Sequence, residues 1–299
     1  MIDEPVEATR AFWHRLGLPG LVDVHVHFLP DNIQRAVWAQ FDLAGPAIGR
    51  EWPIRYRGSV EERVALLRDL GVRRFSALPY AHKPGVARYL NDWAARFAHD
   101  VPESIWSATF YPEPDAATYV GELVAAGVEV FKVHVQVGDF RLDDPLLDDV
   151  WAVLEHSGTP IVVHAGSGPV PNEFTGPGSL ARVLRRWPRL CLVVAHLGAP
   201  EYAEFLTLAE TYEHVHLDTT MVFTDFFEQM SLYPRELLPR LVDLQDKVLL
   251  GTDFPSIPYA YVHQLESLER LGLGESWLRA VCWDNGVRLF GSSARRLAP

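Results

Sequence analysis

The chain has 299 residues, 48% hydrophobic and 22% charged, an ordinary globular composition that suits one large α/β barrel or two medium domains. Its 27 Lys and Arg against 39 Asp and Glu leave a formal charge of −12. That disfavours a nucleic-acid partner, because neutralising phosphates needs basic surface, although a few cations in a cleft still suffice for a small anionic ligand.

The N-terminal stretch MIDEPVEATR lacks the basic and apolar regions of a signal peptide, and no run approaches the ~20 apolar residues of a membrane span. A soluble cytoplasmic protein is expected, with a small-molecule substrate and no membrane partner. Cys191 lies in an apolar run and Cys282 beside Trp283, so two buried thiols are expected rather than a disulfide.

Short β-branched or aliphatic runs recur along the chain. The first is Leu21–His25, followed by a long interval, 28–58, that carries Trp38, Arg50, Trp52, Arg55 and Arg57. A connection of that length reads as a loop covering a site. Ser59 then has the character of an N-cap, with Glu62 completing a capping box and Gly71 supplying the stop. Strand-like runs follow at Arg74–Pro79, Ile105–Phe110, Val130–Val135, Pro160–His164, Cys191–His196, Val215–Asp218 and Val248–Gly251. Helical segments lie between them, at Ala116–Ala126, Pro145–Glu155 and Ser179–Arg186. Near-continuous apolar strands alternating with helices imply βαβ units, and eight of them close into a (β/α)₈ TIM barrel. No linker divides the chain, so residues 1–299 are read as one barrel domain. A doubly wound sheet would have a Gly-rich nucleotide loop after the first strand, where this chain has His-Val-His-Phe-Leu-Pro.

Polar residues cluster at the strand ends. His25 and His27 are two apart on a strand, so both imidazoles face one side. Alone the pair says little. His164 ends the fifth run and His196 the sixth, and Asp253 follows the eighth, so all sit at the barrel rim where catalytic groups collect. Asp23 shares the parity of the histidines but lies deeper, either as a buried hydrogen-bonding partner or as a polar residue of the barrel floor.

The runs Asp23-Val24-His25-Val26-His27, Val163-His164-Ala165-Gly166, Ala195-His196-Leu197-Gly198 and Leu250-Gly251-Thr252-Asp253-Phe254-Pro255 resemble the amidohydrolase superfamily. The likeness is to its amidohydrolase-related branch, which includes aminocarboxymuconate-semialdehyde decarboxylase; Phe131-Lys132-Val133-His134 and Asp284–Phe290 fit the same pattern. The resemblance implies that His25, His27, His164 and Asp253 bind one divalent ion, most often zinc. It implies that His196 stays outside the ligand set as acid or base, and that Asp253 takes a catalytic part as well. In binuclear relatives a fourth-strand lysine is carboxylated and bridges two metals; for Lys132, or its neighbour His134, a structural or substrate-side hydrogen bond is favoured over that, which makes both substrate-binding candidates.

The chemistry implied is metal-dependent hydrolysis of an amide, ester or lactone of a small substrate that can carry a carboxylate. The alternative is non-oxidative decarboxylation, or hydration, of an unsaturated or aromatic acid at the same metal site. Arg50, Arg55 and Arg57 are candidates to hold a carboxylate. Trp38, Trp52, Phe174, Phe223 and Phe254 are candidates for an aromatic pocket wall. Relatives of the branch are often dimers, which leaves a homodimer open.

Overall fold

A computed structural model describes residues 4–291. Its strands are β1 (Leu21–Asp23), β2 (Val72–Ser76), β3 (Ser104–Ile105), β4 (Ser107–Thr109), β5 (Val130–His134), β6 (Ile161–His164), β7 (Leu192–Val194), β8 (Val215–Asp218) and β9 (Val248–Leu249). All pair in parallel with their sequence neighbours, β1 through β3 in one set and β4 through β9 in the other. β3 and β4 are one stave interrupted at Trp106, whose backbone N–H turns to Glu129 Oε2 at 2.9 Å. Ser107 Oγ carries the pairing across the break by accepting from Ala77 N at 2.9 Å.

The staves close into a barrel where the first meets the last. Val24 N donates to Leu250 O at 2.9 Å, Asp253 N to His25 O at 2.9 Å, and His27 N to Phe254 O at 2.8 Å. Val26 and Phe254 form a parallel bridge at this seam. Each expected run is thus a stave of a TIM barrel, though several are shorter than the apolar pattern: Cys191–His196 is strand only over Leu192–Val194 before the chain turns.

Alternation along the staves sets what faces where. Inside the barrel, Val22, Ile105, Val130, Val162, Val193 and Leu249 form an apolar floor. Lys132 and His134 follow Val130 at the same parity, and His164 follows Val162, so these polar groups stand above that floor. Phe75, Phe131, Ile161, Val163, Leu192 and Leu217 point outward against the helices.

The interval 28–58 contains a helix, Asp31–Leu43, and a short turn, Gly45–Ile48. The Ser59–Glu62 capping box forms as expected, with Ser59 N donating to Glu62 Oε2 at 2.8 Å and Glu62 N to Ser59 Oγ at 3.2 Å. Cys191 and Cys282 are both free and buried. No helix among the described residues is long and apolar enough to cross a membrane.

Candidate metal centre

His25, His27 and Asp253 bring their ligand atoms within 4.8 Å of one another at the mouth of the barrel. Asp253 Oδ1 lies 3.0 Å from His27 Nε2 and 3.6 Å from His25 Nε2. The two histidines come from the end of the first stave. Asp253 follows the last and is held by the seam, in a left-handed conformation with φ of 71°. His196 also has positive φ, 55°, and such strained backbone gathers at sites where a side chain must be aimed.

Hydrogen bonds settle which ring nitrogens carry protons. His27 Nδ1 donates to Leu78 O at 2.7 Å, and His196 Nδ1 to Thr220 O at 3.0 Å. Carbonyls only accept, so Nδ1 carries a proton in both rings and Nε2 is the lone pair of each ring's neutral form. His25 Nδ1 donates to Asp218 Oδ2 at 2.8 Å, which turns its Nε2 into a lone pair as well. Burial alone would raise the Asp218 carboxyl, but the adjoining His25 outweighs it and keeps Asp218 ionised, well below the usual carboxylate range. Burial, and then Lys132, lower His25 from 6.5 to about 3.

This arrangement fits a cation. With Leu78 O taking the Nδ1 proton, the 3.0 Å contact of His27 Nε2 with Asp253 sets two acceptors face to face. It closes only with a second proton on the ring or a cation shared between them. Burial would raise the Asp253 carboxyl, and the hydrogen bond and charge of His27 in its protonated form outweigh it and hold Asp253 below the usual carboxylate range, the place that a bound cation would take over. Nitrogen and carboxylate donors suit zinc and its divalent neighbours.

His164 stands beside this cluster rather than in it. Its Nε2 donates to Gly168 O at 3.1 Å, and its ring stacks on His134 with centroids 3.9 Å apart. It also lies 4.8 Å, centroid to centroid, from His196. The bond to Gly168 leaves Nδ1 as its lone pair. Lys132 is fully buried, with Nζ 3.2 Å from His25 Nε2, and burial brings its pKa down from 10.5 to about 8.

Two further carboxylates support the site. Asp218 Oδ1 accepts from His196 N at 2.9 Å, so one side chain fixes both the His25 tautomer and the His196 backbone. Asp218 ends the expected strand run Val215–Asp218, but nothing in the sequence marked it as the partner of His25. Asp23 Oδ2 accepts from Thr252 Oγ1 at 2.6 Å and Tyr261 OH at 2.8 Å, and its Oδ1 accepts from His25 N at 3.2 Å. It is therefore a buried hydrogen-bonding partner, and burial pushes its carboxyl up to about 7.

A cavity of about 280 Å³ opens above the cluster. His25, His27, Lys132, His134, His164, His196 and Asp253 lie along it, together with Trp52 and, from the helix Asp31–Leu43, Gln34, Val37, Gln40 and Phe41. The three candidate arginines do not line it. Arg50 Nη1 donates to Phe226 O at 2.7 Å and its guanidinium lies over the Phe226 ring. Arg55 Nε reaches Glu4 Oε2 at 3.1 Å, and Arg57 Nη1 reaches Asp42 Oδ2 at 2.9 Å. Glu4 and Asp42 engage Arg55 and Arg57, and the Phe226 carbonyl and ring engage Arg50. Of the expected aromatic wall only Trp52 lines the cavity. Trp38 packs under Arg63, Phe223 and Phe254 pack elsewhere, and Phe41, Tyr80 and Phe227 take their place.

The amidohydrolase family model matches residues 22–292, nearly the whole chain. The chain belongs to the amidohydrolase family. Solved structures agree on the fold of this amidohydrolase. An uncharacterised TIM-barrel protein from Bordetella bronchiseptica superposes with a TM-score of 0.71 at 17% identity, covering 91% of this chain and 98% of that one. A 5-carboxyvanillate decarboxylase from Sphingomonas paucimobilis gives 0.63 at 17% identity over 92% and 100%. A probable 2-pyrone-4,6-dicarboxylic acid hydrolase from Acinetobacter baumannii, with citric acid bound, gives 0.61 at 13% identity over 91% and 99%. A search of curated proteins finds no match.

Proposed function

We propose that this amidohydrolase is a metal-dependent hydrolase of an amide, ester or lactone, with one divalent ion, zinc by its donor set, held by His25, His27 and Asp253. His164 is read as the fourth ligand, through Nδ1. The observation that carries the reading is Asp253 Oδ1 facing the lone pairs of His27 and His25 at 3.0 and 3.6 Å. When bound, a divalent ion polarises a carbonyl oxygen and lowers the pKa of water toward neutrality.

The chain's own groups supply the rest. His196 Nε2, left free by the Nδ1 bond to Thr220 O, accepts one proton of the attacking water and returns it to the leaving group. Burial lowers the pKa of His196, so the ring is neutral and ready to accept at pH 7. Asp253 takes that water's remaining proton at its second carboxylate oxygen as the adduct collapses and gives it up to solvent when the product acid leaves, and Asp218 holds His25 in the tautomer that presents Nε2. Lys132 and His134, on one stave beside His25 and His164, orient the substrate.

Product analysis on a panel of lactones, esters, amides and enoic acids in ¹⁸O-labelled water tests this. Label in the product acid of an ester, lactone or amide is the expected result. Release of CO₂ from an acid substrate without label uptake would replace hydrolysis by the carboxy-lyase reaction that the decarboxylase neighbour is named for.

A further inference from the structure

The chemistry of the cavity wall limits what fills it. Its wall is largely apolar, with Leu29, Val37, Phe41, Trp52, Met221 and Phe227 lining it, Phe227 stacked on His196 with centroids 5.9 Å apart. Val137 lines the cavity yet is 41% exposed, so the apolar surface continues to the mouth. Among the described lining residues Lys132 is the one Lys or Arg, and it sits at the metal end against His25. Gln34 also lines the cavity and is 2% exposed; its Oε1 accepts from Arg63 Nη1 at 3.0 Å, which fixes the amide orientation because guanidinium only donates. Its Nε2 has no hydrogen-bond partner among the described residues, and it is a donor without charge.

Resting on the hydrolase reading, we propose that the substrate is uncharged and largely apolar away from its scissile bond, an ester, lactone or amide of a hydrophobic acid rather than a dicarboxylate. A carboxylate in this wall meets no cation, and burying an unpaired charge is strongly unfavourable.

Two matched pairs, used with the metal-loaded full chain, test the proposal. p-Nitrophenyl pentanoate and mono-p-nitrophenyl glutarate differ in a terminal methyl against a carboxylate, as do octanohydroxamic acid and suberic monohydroxamic acid. The neutral ester is expected to have a kcat/KM at least 50-fold higher, and the neutral hydroxamate, anchored on the metal, to bind at least 20-fold tighter by calorimetry. Val37→Arg, on a half-exposed helix position, is expected to bring the charged hydroxamate to within fivefold of the neutral one. Equal or better binding and turnover of the charged members overturns the proposal, as does a Val37→Arg variant that leaves the preference unchanged. Turnover of neither ester, with octanohydroxamic acid bound tightly, defeats the hydrolase reading and leaves the substrate class standing. Failure of both hydroxamates to bind defeats both.

Discussion

Asp218 is 0% exposed and divides its two oxygens between His25 Nδ1 and His196 N. Asp218→Asn can offer its NH₂ where a carboxylate must accept, so the His25 tautomer is no longer enforced. Metal affinity is expected to fall roughly 10- to 100-fold, read by titration with a competing chelator. His196→Ala is expected to lose about 10²- to 10⁴-fold in kcat while metal content by atomic absorption stays at the wild-type level. Loss of the metal together with the rate would make His196 a ligand. These roles were unequally legible in the sequence. His25 and His27 announce themselves by parity, and Asp253 by following the last apolar run. The partners that fix their protons are mostly backbone carbonyls, Leu78, Thr220 and Gly168, which no side-chain pattern marks. The arginines were not legible because a cation in a rim loop can turn either way, and here Glu4, Asp42 and, for Arg50, Phe226 decide it.

At the scale of elements, the apolar staves were readable because both faces are buried, one on the barrel floor and one on the helices. The break at Trp106 was not, since it depends on Glu129, distant in sequence, capturing the backbone. The helix Asp31–Leu43 left a faint trace in Ile33, Val37 and Phe41 at four-residue spacing. Pro30 precedes it with no side-chain cap, and only Gln34 on it is fully buried, so neither capping nor burial sharpened the signal. The helix Val60–Leu70 is the opposite case. Its reciprocal cap satisfies two otherwise orphaned backbone donors, and the same Ser59 also accepts from Arg63 Nε through its carbonyl at 3.3 Å. Ser59→Ala is expected to lower unfolding free energy by about 1 kcal/mol, measured by urea denaturation, with catalytic constants unchanged.

For the molecule as a whole, buried histidines make stability fall in acid. His216, on β8, has an Nδ1 without a hydrogen-bond partner among the described residues, and burial, with Lys247 and Arg288 adding to it, lowers its pKa from 6.5 to about 4. Between those values the unfolded chain binds a proton that the folded one refuses. The stability this group contributes is full above pH 6.5 and is lost as pH falls toward 4. His216→Leu is expected to flatten the decline between pH 7 and 5 by on the order of 1 kcal/mol in urea titrations at the two pH values.

The seam between the first and last staves has a consequence for the holoprotein. Other neighbouring staves are tied by a covalent crossover, whereas these two meet only through hydrogen bonds such as Val24 N to Leu250 O and His27 N to Phe254 O. His25 and His27 stand on one side of that join and Asp253 on the other, so an ion held by all three is a clasp across it. Its binding energy then resists the opening of the ring as well as serving the reaction. Removing the ion with dipicolinate is expected to lower the melting temperature by several degrees, in keeping with about 2.7 kcal/mol for an ion at a hundred times its Kd. Hydrogen exchange is expected to quicken first at the amides of Val24, His27 and Asp253, ahead of those in β5 and β6. Uniform quickening around the ring would show that the clasp carries no mechanical share.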